Sequence, residues 1–405
     1  MSSKDTFVTG GTFNPTINSL VFSGNTGFPS FTVDVSALND GYWTAGTGIS
    51  AVKLINSNSV ASGDYSVAEG FQTQATGTTS HAEGISTIAR GDYSHAEGVQ
   101  SQSIGNKSHA EGERTQAIGE NSHAEGENTK SYGLDSHSEG FGTIASGSCS
   151  HAEGRNTVAN GPYSHAEGRD TTAGGSYSHA EGRYTVASGD YGSHAEGYYS
   201  RAIGKGSHAE GLETRAEGPY SHAEGGYSKT TNWYAHAEGG SLASGFASHA
   251  EGGFSGFGPG FNFKTSATTY SSHAEGVGTL SSGIASHAEG GRTEASGDWS
   301  HAEGSYTIAS NYSSHAEGGG TIASGYYSHS EGLGTHASGD HSHAGGRGRS
   351  AQPVETGNRD EIIAAGRSSF IHYEQTINYP SGTTMGTYGD YSVILGGLNH
   401  NISID

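Results

Sequence analysis

The chain has 405 residues, 31% of them hydrophobic, with 68 glycines and a formal net charge of −22. This composition excludes a large apolar core built by one chain. With only 19 Lys plus Arg, scattered along the sequence, it also excludes a general grip on nucleic acid. A single cysteine, Cys149, rules out disulfides within the chain. No run of 18 apolar residues occurs, so no membrane insertion is expected. The opening Met-Ser-Ser-Lys-Asp-Thr lacks the basic-then-apolar pattern of a secretory signal.

Residues 1–58 differ from the rest. Ser19-Leu20-Val21-Phe22, then Asn25-Thr26-Gly27, then Phe31-Thr32-Val33-Asp34-Val35 predicts a β-hairpin around a turn. Residues 51–54 predict a strand leading into the repeats. This part is expected to be a small β-rich module for attachment or for starting a trimer, which also closes the open end of a solenoid.

Residues 59–350 carry the dominant signal. Ser-His-Ala-Glu-Gly returns about every 14 residues, from His81, His95 and His109 to His315, His329 and His343, and 19 of the 23 histidines fall in this register. Low hydrophobicity with high charge reads as disorder, but disordered tracts do not hold one phase through insertions. A strict short period marks a solenoid, one repeat per coil. The idealised unit is Ser-His-Ala-Glu-Gly-x-x-Thr-x-Ala-Ser-Gly-x-Tyr. Its two glycines predict turns with positive φ between two segments of about four residues each. Glycine is too frequent, and a 3.6-residue stripe too absent, for helix.

Strand alternation places Ser and Ala on one face and His and Glu on the other. The seam of Ala96, Ala110, Ala124 and Ala152 with Ala89, Ala117, Ala145 and Ala159 is expected inside the coil. The variable positions (Ile88, Gln116, Ile144, Val158, Val186, Arg201) point outward on the opposite side. The His/Glu face hardly varies, which suggests a repeated contact with two other copies around a threefold axis. With strands about 4.8 Å apart, roughly twenty coils would make a rod near 100 Å long. Glutamates stacked at that spacing repel by roughly 3 kcal/mol at an effective dielectric of 20. A structural ladder is therefore expected, in which His95, His109, His151 and His287 hydrogen-bond to Glu97, Glu111, Glu153 and Glu289, within or across chains, or carry protons. The loop insertion at 253–272 holds Phe254, Phe257, Phe261 and Phe263 among glycines, so it either folds back on the roll or a neighbouring chain or contacts a receptor. His341-Ser342-His343 would put two imidazoles on one strand face, and three copies would offer six nitrogens to an axial metal ion, the single cofactor candidate. Residues 351–405 read as an irregular segment with a final capping coil, and Phe370 and Tyr373 within it are further candidates for receptor contact.

The unit Gly389-Asp390-Tyr391-Ser392-Val393-Ile394-Leu395-Gly396 and the first coil, Ser66-Val67-Ala68-Glu69-Gly70, resemble the 14-residue repeat of trimeric autotransporter adhesin heads. That repeat reads roughly Ser-Val-Ala-Ile-Gly, then x-x-Ser-x-Ala-x-Gly. The resemblance covers about residues 60–350 plus the final coil. It implies an all-β fold, a homotrimeric left-handed parallel β-roll solenoid. The sequence lacks the secretion signal and C-terminal anchoring segment of those adhesins. It is in this respect similar to tail fibres of phages and of contractile injection systems, assembled in the cytoplasm and carried on a virion or extracellular particle. The expected function is a structural fibre or adhesin that projects a host-binding surface. Its partners would be sister chains, a baseplate or tail protein at the N-terminus, and a host surface glycan or protein. The alternative is a non-viral cell-surface or ice-binding adhesive solenoid. An enzyme is not expected, because nineteen equal repeats single out no pocket.

Overall fold

Each 14-residue unit folds as one coil with two strands of unequal length. The computed structural model describes residues 11–14, 19–22, 31–34, 43–54, 57–255, 262–347, 362–374, 385–387, 390–391 and 393–395. In the coil around His95 the long strand is His95–Val99 and the short one Gln102–Ser103. The long strand runs past the four expected residues because Gly98 stays in the ladder, paired with Gly112 of the next coil. Among the described residues there is no helix, and the roll is a parallel β-solenoid.

The glycines are needed mainly for close approach. Gly98 combines φ of +97° with a position where a Cβ would enter the carbonyl oxygen of Gly112. Gly91 has no positive φ, yet a Cβ there would strike the carbonyl oxygen of Gly105. The left-handed turn conformations expected of glycine fall instead on Tyr93 (φ 60°) and Gln100 (φ 59°). Such residues hold their place because the coil ties them down on both sides. Tyr93 N–H donates to Thr78 O at 2.8 Å, and Ser94 N–H donates to Gly91 O at 3.3 Å. Asp92 Oδ1 accepts the Thr78 N–H at 2.8 Å. In the equivalent turn Ser80 Oγ donates to Gly77 O at 2.7 Å.

By contact density the chain divides into Met1–Asp135 and Ser136–Asp405. In the first unit, β1 (Gly11–Asn14), β2 (Ser19–Phe22) and β3 (Phe31–Asp34) form an antiparallel sheet in the order 1-2-3. The expected hairpin is thus β2–β3, and β1 is an addition that the sequence did not signal. β4 (Trp43–Ala45) pairs antiparallel with β5 (Val52–Leu54), and β5 turns the direction by pairing parallel with Val67–Phe71, the first long strand. From there each coil pairs with the next in strict register, His95 with His109 and Glu97 with Glu111.

The second unit is built of the same coil and takes up its irregularities at the coil edges. The extra residue before His194 sits in the turn at Gly192 (φ 77°). The missing residue before His249 shortens the long strand to His236–Glu238. The insertion is an antiparallel hairpin, Phe254–Ser255 with Asn262–Phe263, after which Ser266–Ala267 resumes the short ladder. The segment expected to be irregular carries strands of two further coils. Ile362–Ala364 and Phe370–Glu374 stack on the roll, succeeded by Met385–Thr387 and Val393–Leu395.

The interior matches the expected seam. Ala96, Ala110, Ala152 and Ala159 are fully buried, and so are Thr87, Thr115 and Thr157. The core is one methyl group thick, so each inward residue adds on the order of 0.8 kcal/mol of apolar burial. The backbone ladders and their repetition do the rest.

Candidate functional site

Within each unit the parallel register sets histidine over histidine from one coil to the next. His81 stacks on His95 at 4.8 Å between ring centroids, with planes 2° apart. His151 on His165 and His287 on His301 repeat this at 4.8 Å. The glutamates form a parallel column two residues along the same strands. Both columns are half-exposed: the side chains of His95 and Glu97 keep 35% and 32% of their accessibility.

The expected His–Glu hydrogen bonds are largely not made within one chain. His95 Nε2 lies 3.8 Å from Glu97 Oε2, and His151–Glu153 and His287–Glu289 are each 4.0 Å apart. These separations exceed hydrogen-bond range. The rings lie flat on one another, and this orientation leaves Nε2 of His95, His109, His151 and His287 enclosed without a hydrogen-bond partner. The end of the series differs, where His343 Nε2 and Glu331 Oε1 meet at 3.3 Å.

Protonation does not take over the role of those bonds. Burial holds His95, His109, His165, His194 and His287 below the ordinary histidine value of 6.5, and the neighbouring imidazoles push the same way. The flanking glutamates oppose both effects without overcoming them. These five imidazoles are therefore neutral at neutral pH.

Two imidazoles and a carboxylate bring ligand atoms within 4.8 Å of one another at His81, Glu83 and His95, and again at His222, Glu224 and His236. Such a set has the chemistry for a transition metal. The flat stacking aims the ring planes alike rather than toward one point. His341 and His343 do not share a strand face. His341 lies in the turn at φ 57° and stacks on Tyr327 at 5.2 Å. His343 opens the strand and packs on His329 at 4.8 Å. The left-handed turn between them breaks the alternation on which that reading depended.

The aromatic candidates are placed unevenly. Phe254 and Phe263 are paired in register in the inserted hairpin, and Phe257 and Phe261 lie outside the described residues. Phe370 is half-buried and ends the histidine column, 4.8 Å from His343. Tyr373 pairs in register with Gly346.

Sequence reading missed a basic cluster. Arg155, Arg169 and Arg183 look scattered, but their 14-residue spacing brings them into register on three neighbouring coils. Arg201, Arg215 and Lys229 do the same on the short strands. The spacing was the available signal.

These features define a repeat-built β-roll with columns of histidine, glutamate and arginine along its strands. A family model described as the YadA head domain repeat matches in two copies, over residues 57–73, 110–129 and 138–164. The roll is thus similar to the heads of trimeric autotransporter adhesins. No curated protein matches the chain.

Proposed function

We propose that the protein is a non-enzymatic adhesive fibre, a homotrimer joined through its His/Glu faces, which projects a host-binding surface from a phage tail or phage-like particle. One observation carries the self-association: the enclosed Nε2 atoms of His95, His109, His151 and His287 find no hydrogen-bond partner among the described residues and stand beside half-exposed carboxylates. Leaving such groups unsatisfied costs about 1–3 kcal/mol each, and a neighbouring face can supply what one chain does not. The match to a head repeat supports the same arrangement. In this reading the N-terminal sheet attaches to a baseplate or tail protein, and the host ligand is a surface glycan or protein. The axial metal at His341 and His343 is not part of the proposal, because the two rings occupy separate columns.

Light scattering tests this directly. The expected mass is three times the 41.5 kDa chain; a monomer at micromolar concentration would remove the basis for the shared face. The match to an adhesin head favours a second reading, a non-viral cell-surface adhesive solenoid. Fractionation of the native source separates them: the fibre should sediment with particles, the adhesin with cell envelopes. Ice binding loses its support, since Thr87, Thr115, Thr129, Thr143, Thr157 and Thr171 are fully buried rather than displayed.

A further inference from the structure

Arg155, Arg169 and Arg183 come directly after the glycine of three successive long strands and are all exposed. Three cations one coil apart are unusual on a chain whose formal charge is −22. Two of them lean on rings instead of carboxylates. The Arg155 guanidinium lies 5.5 Å from the Phe141 ring, and that of Arg183 lies 4.9 Å from Tyr184 and 5.6 Å from Tyr198. Among the described residues neither has a carboxylate at ion-pair distance, whereas Arg169 Nε is 3.3 Å from Asp170 Oδ2. Tyr199 extends the cluster by stacking on Tyr184 at 4.6 Å. The other basic column is different in kind, because Glu217 pairs with Arg215 at 2.8 Å and with Lys229 at 3.1 Å.

We propose that the Arg155–Arg169–Arg183 column, with the tyrosines beside it, binds an anionic sugar chain bearing carboxylate or sulfate groups. The inference deepens the adhesive reading by naming the ligand class, and it rests on that reading for its purpose. A guanidinium presents a planar fork that matches such oxyanions two bonds at a time. A ring packed on one face of the guanidinium fixes its orientation, and Arg183 Nη2 also donates to Tyr184 Oη at 3.4 Å, leaving its other edge N–H groups for a ligand. Tyrosine adds an apolar face and a hydroxyl, which suits a sugar ring. The patch spans three coils, about 10 Å, the scale of a short oligosaccharide. Glu153, Glu167 and Glu181 stand two residues earlier on the same strands and confine the attraction to short range. The acidic chain as a whole repels a long polyanion such as duplex DNA.

The test uses the full chain on sensors carrying dextran sulfate, polygalacturonate, unmodified dextran, polyglutamate or duplex DNA. Binding is expected to dextran sulfate or polygalacturonate, and which of these two binds tells sulfate from carboxylate. R155Q/R169Q/R183Q should weaken it roughly ten-fold or more. The control R201Q/R215Q/K229Q removes the same charge and should weaken it less than about three-fold. R155K/R169K/R183K keeps the charge without the fork and should fall between, which guards against a folding defect in the first variant. Equal losses in the glutamine variant and the control would overturn the site. So would equal binding to unmodified dextran, polyglutamate or duplex DNA. A trimer that ignores anionic glycans sinks this inference and leaves the fibre reading standing. A monomer that binds them through these arginines does the reverse.

Discussion

The coils at His329–Leu333 and Phe370–Glu374 share a fold and differ in almost every side chain. Along the outer column the register runs His329, His343, Phe370, Val393; along the inner one it runs Ser330, Ala344, Ile371, Ile394. The ladder coil has a one-methyl interior and a polar outer face, while the terminal coils have isoleucine inside and put Phe370 and Val393 in the histidine column, with His372 where the ladder has glutamate. Ile362, Ile371 and Ile394 fill the end of the stack with Ala337, Ala344 and Ala364. The roll therefore does not require histidine or glutamate. Backbone pairing and the close approach of glycines build the coil, and the outer face is free to answer to whatever lies upon it. That some twenty repeats keep His and Glu there argues for a demand from outside the chain.

The comparison breaks most easily at the glycines. In Gly290→Val the new side chain would meet φ of +107° and the carbonyl oxygen of Gly304 together. We expect a local loss of about 4 kcal/mol or more, seen as hydrogen exchange and proteolysis opening at the neighbouring coils. The terminal coil offers the next largest effect. Ile371→Ala should cost about 2–4 kcal/mol by leaving a cavity at the end of the stack. Because each coil touches only its neighbours, exchange should quicken near residues 362–374 and remain unchanged around His165. An equal response at both places would mean that the terminal coils are not a separate cap.

The coil and its faces were legible in the sequence because period and alternation are both encoded one residue at a time. Ala96 and Thr87 read as interior and are interior; His95 and Glu97 read as one outer face and share it. The contacts between coils were not legible in the same way. Ring stacking against His–Glu bonding depends on a torsion that residue type does not dictate. Tyr93 in a left-handed turn contradicts its own preference and is held by bonds from another coil. The arginine column appears only when residues 14 apart are placed side by side, and Phe370 changes from an exposed candidate to the end of a stack for the same reason.

The gentlest test compares the two faces by pH. His194, His208, His222, His287 and His315 sit below 6.5 through burial and mutual repulsion. The unfolded chain then takes up protons first as pH falls through about 6.5. Stability is fully present above that value and declines below it, because the unfolded state binds more protons. The melting midpoint should stay level from pH 8 to pH 7 and drop progressively toward pH 5.5. His287→Val with Glu289→Leu gives a ladder coil the residues that stand at the matching positions of the last coil, Val393 and Leu395. Since Ala288 and Gly290 remain, the variant should fold, with a midpoint at pH 8 close to that of the parent. Removing His287 also takes away one imidazole that burial holds below its ordinary value. The acid decline should thus be shallower than in the parent, by a small but consistent amount. A midpoint that rises on acidification would mean that the glutamates, not burial, govern the imidazoles, and the neutral stack would have to be replaced by a row of ion pairs.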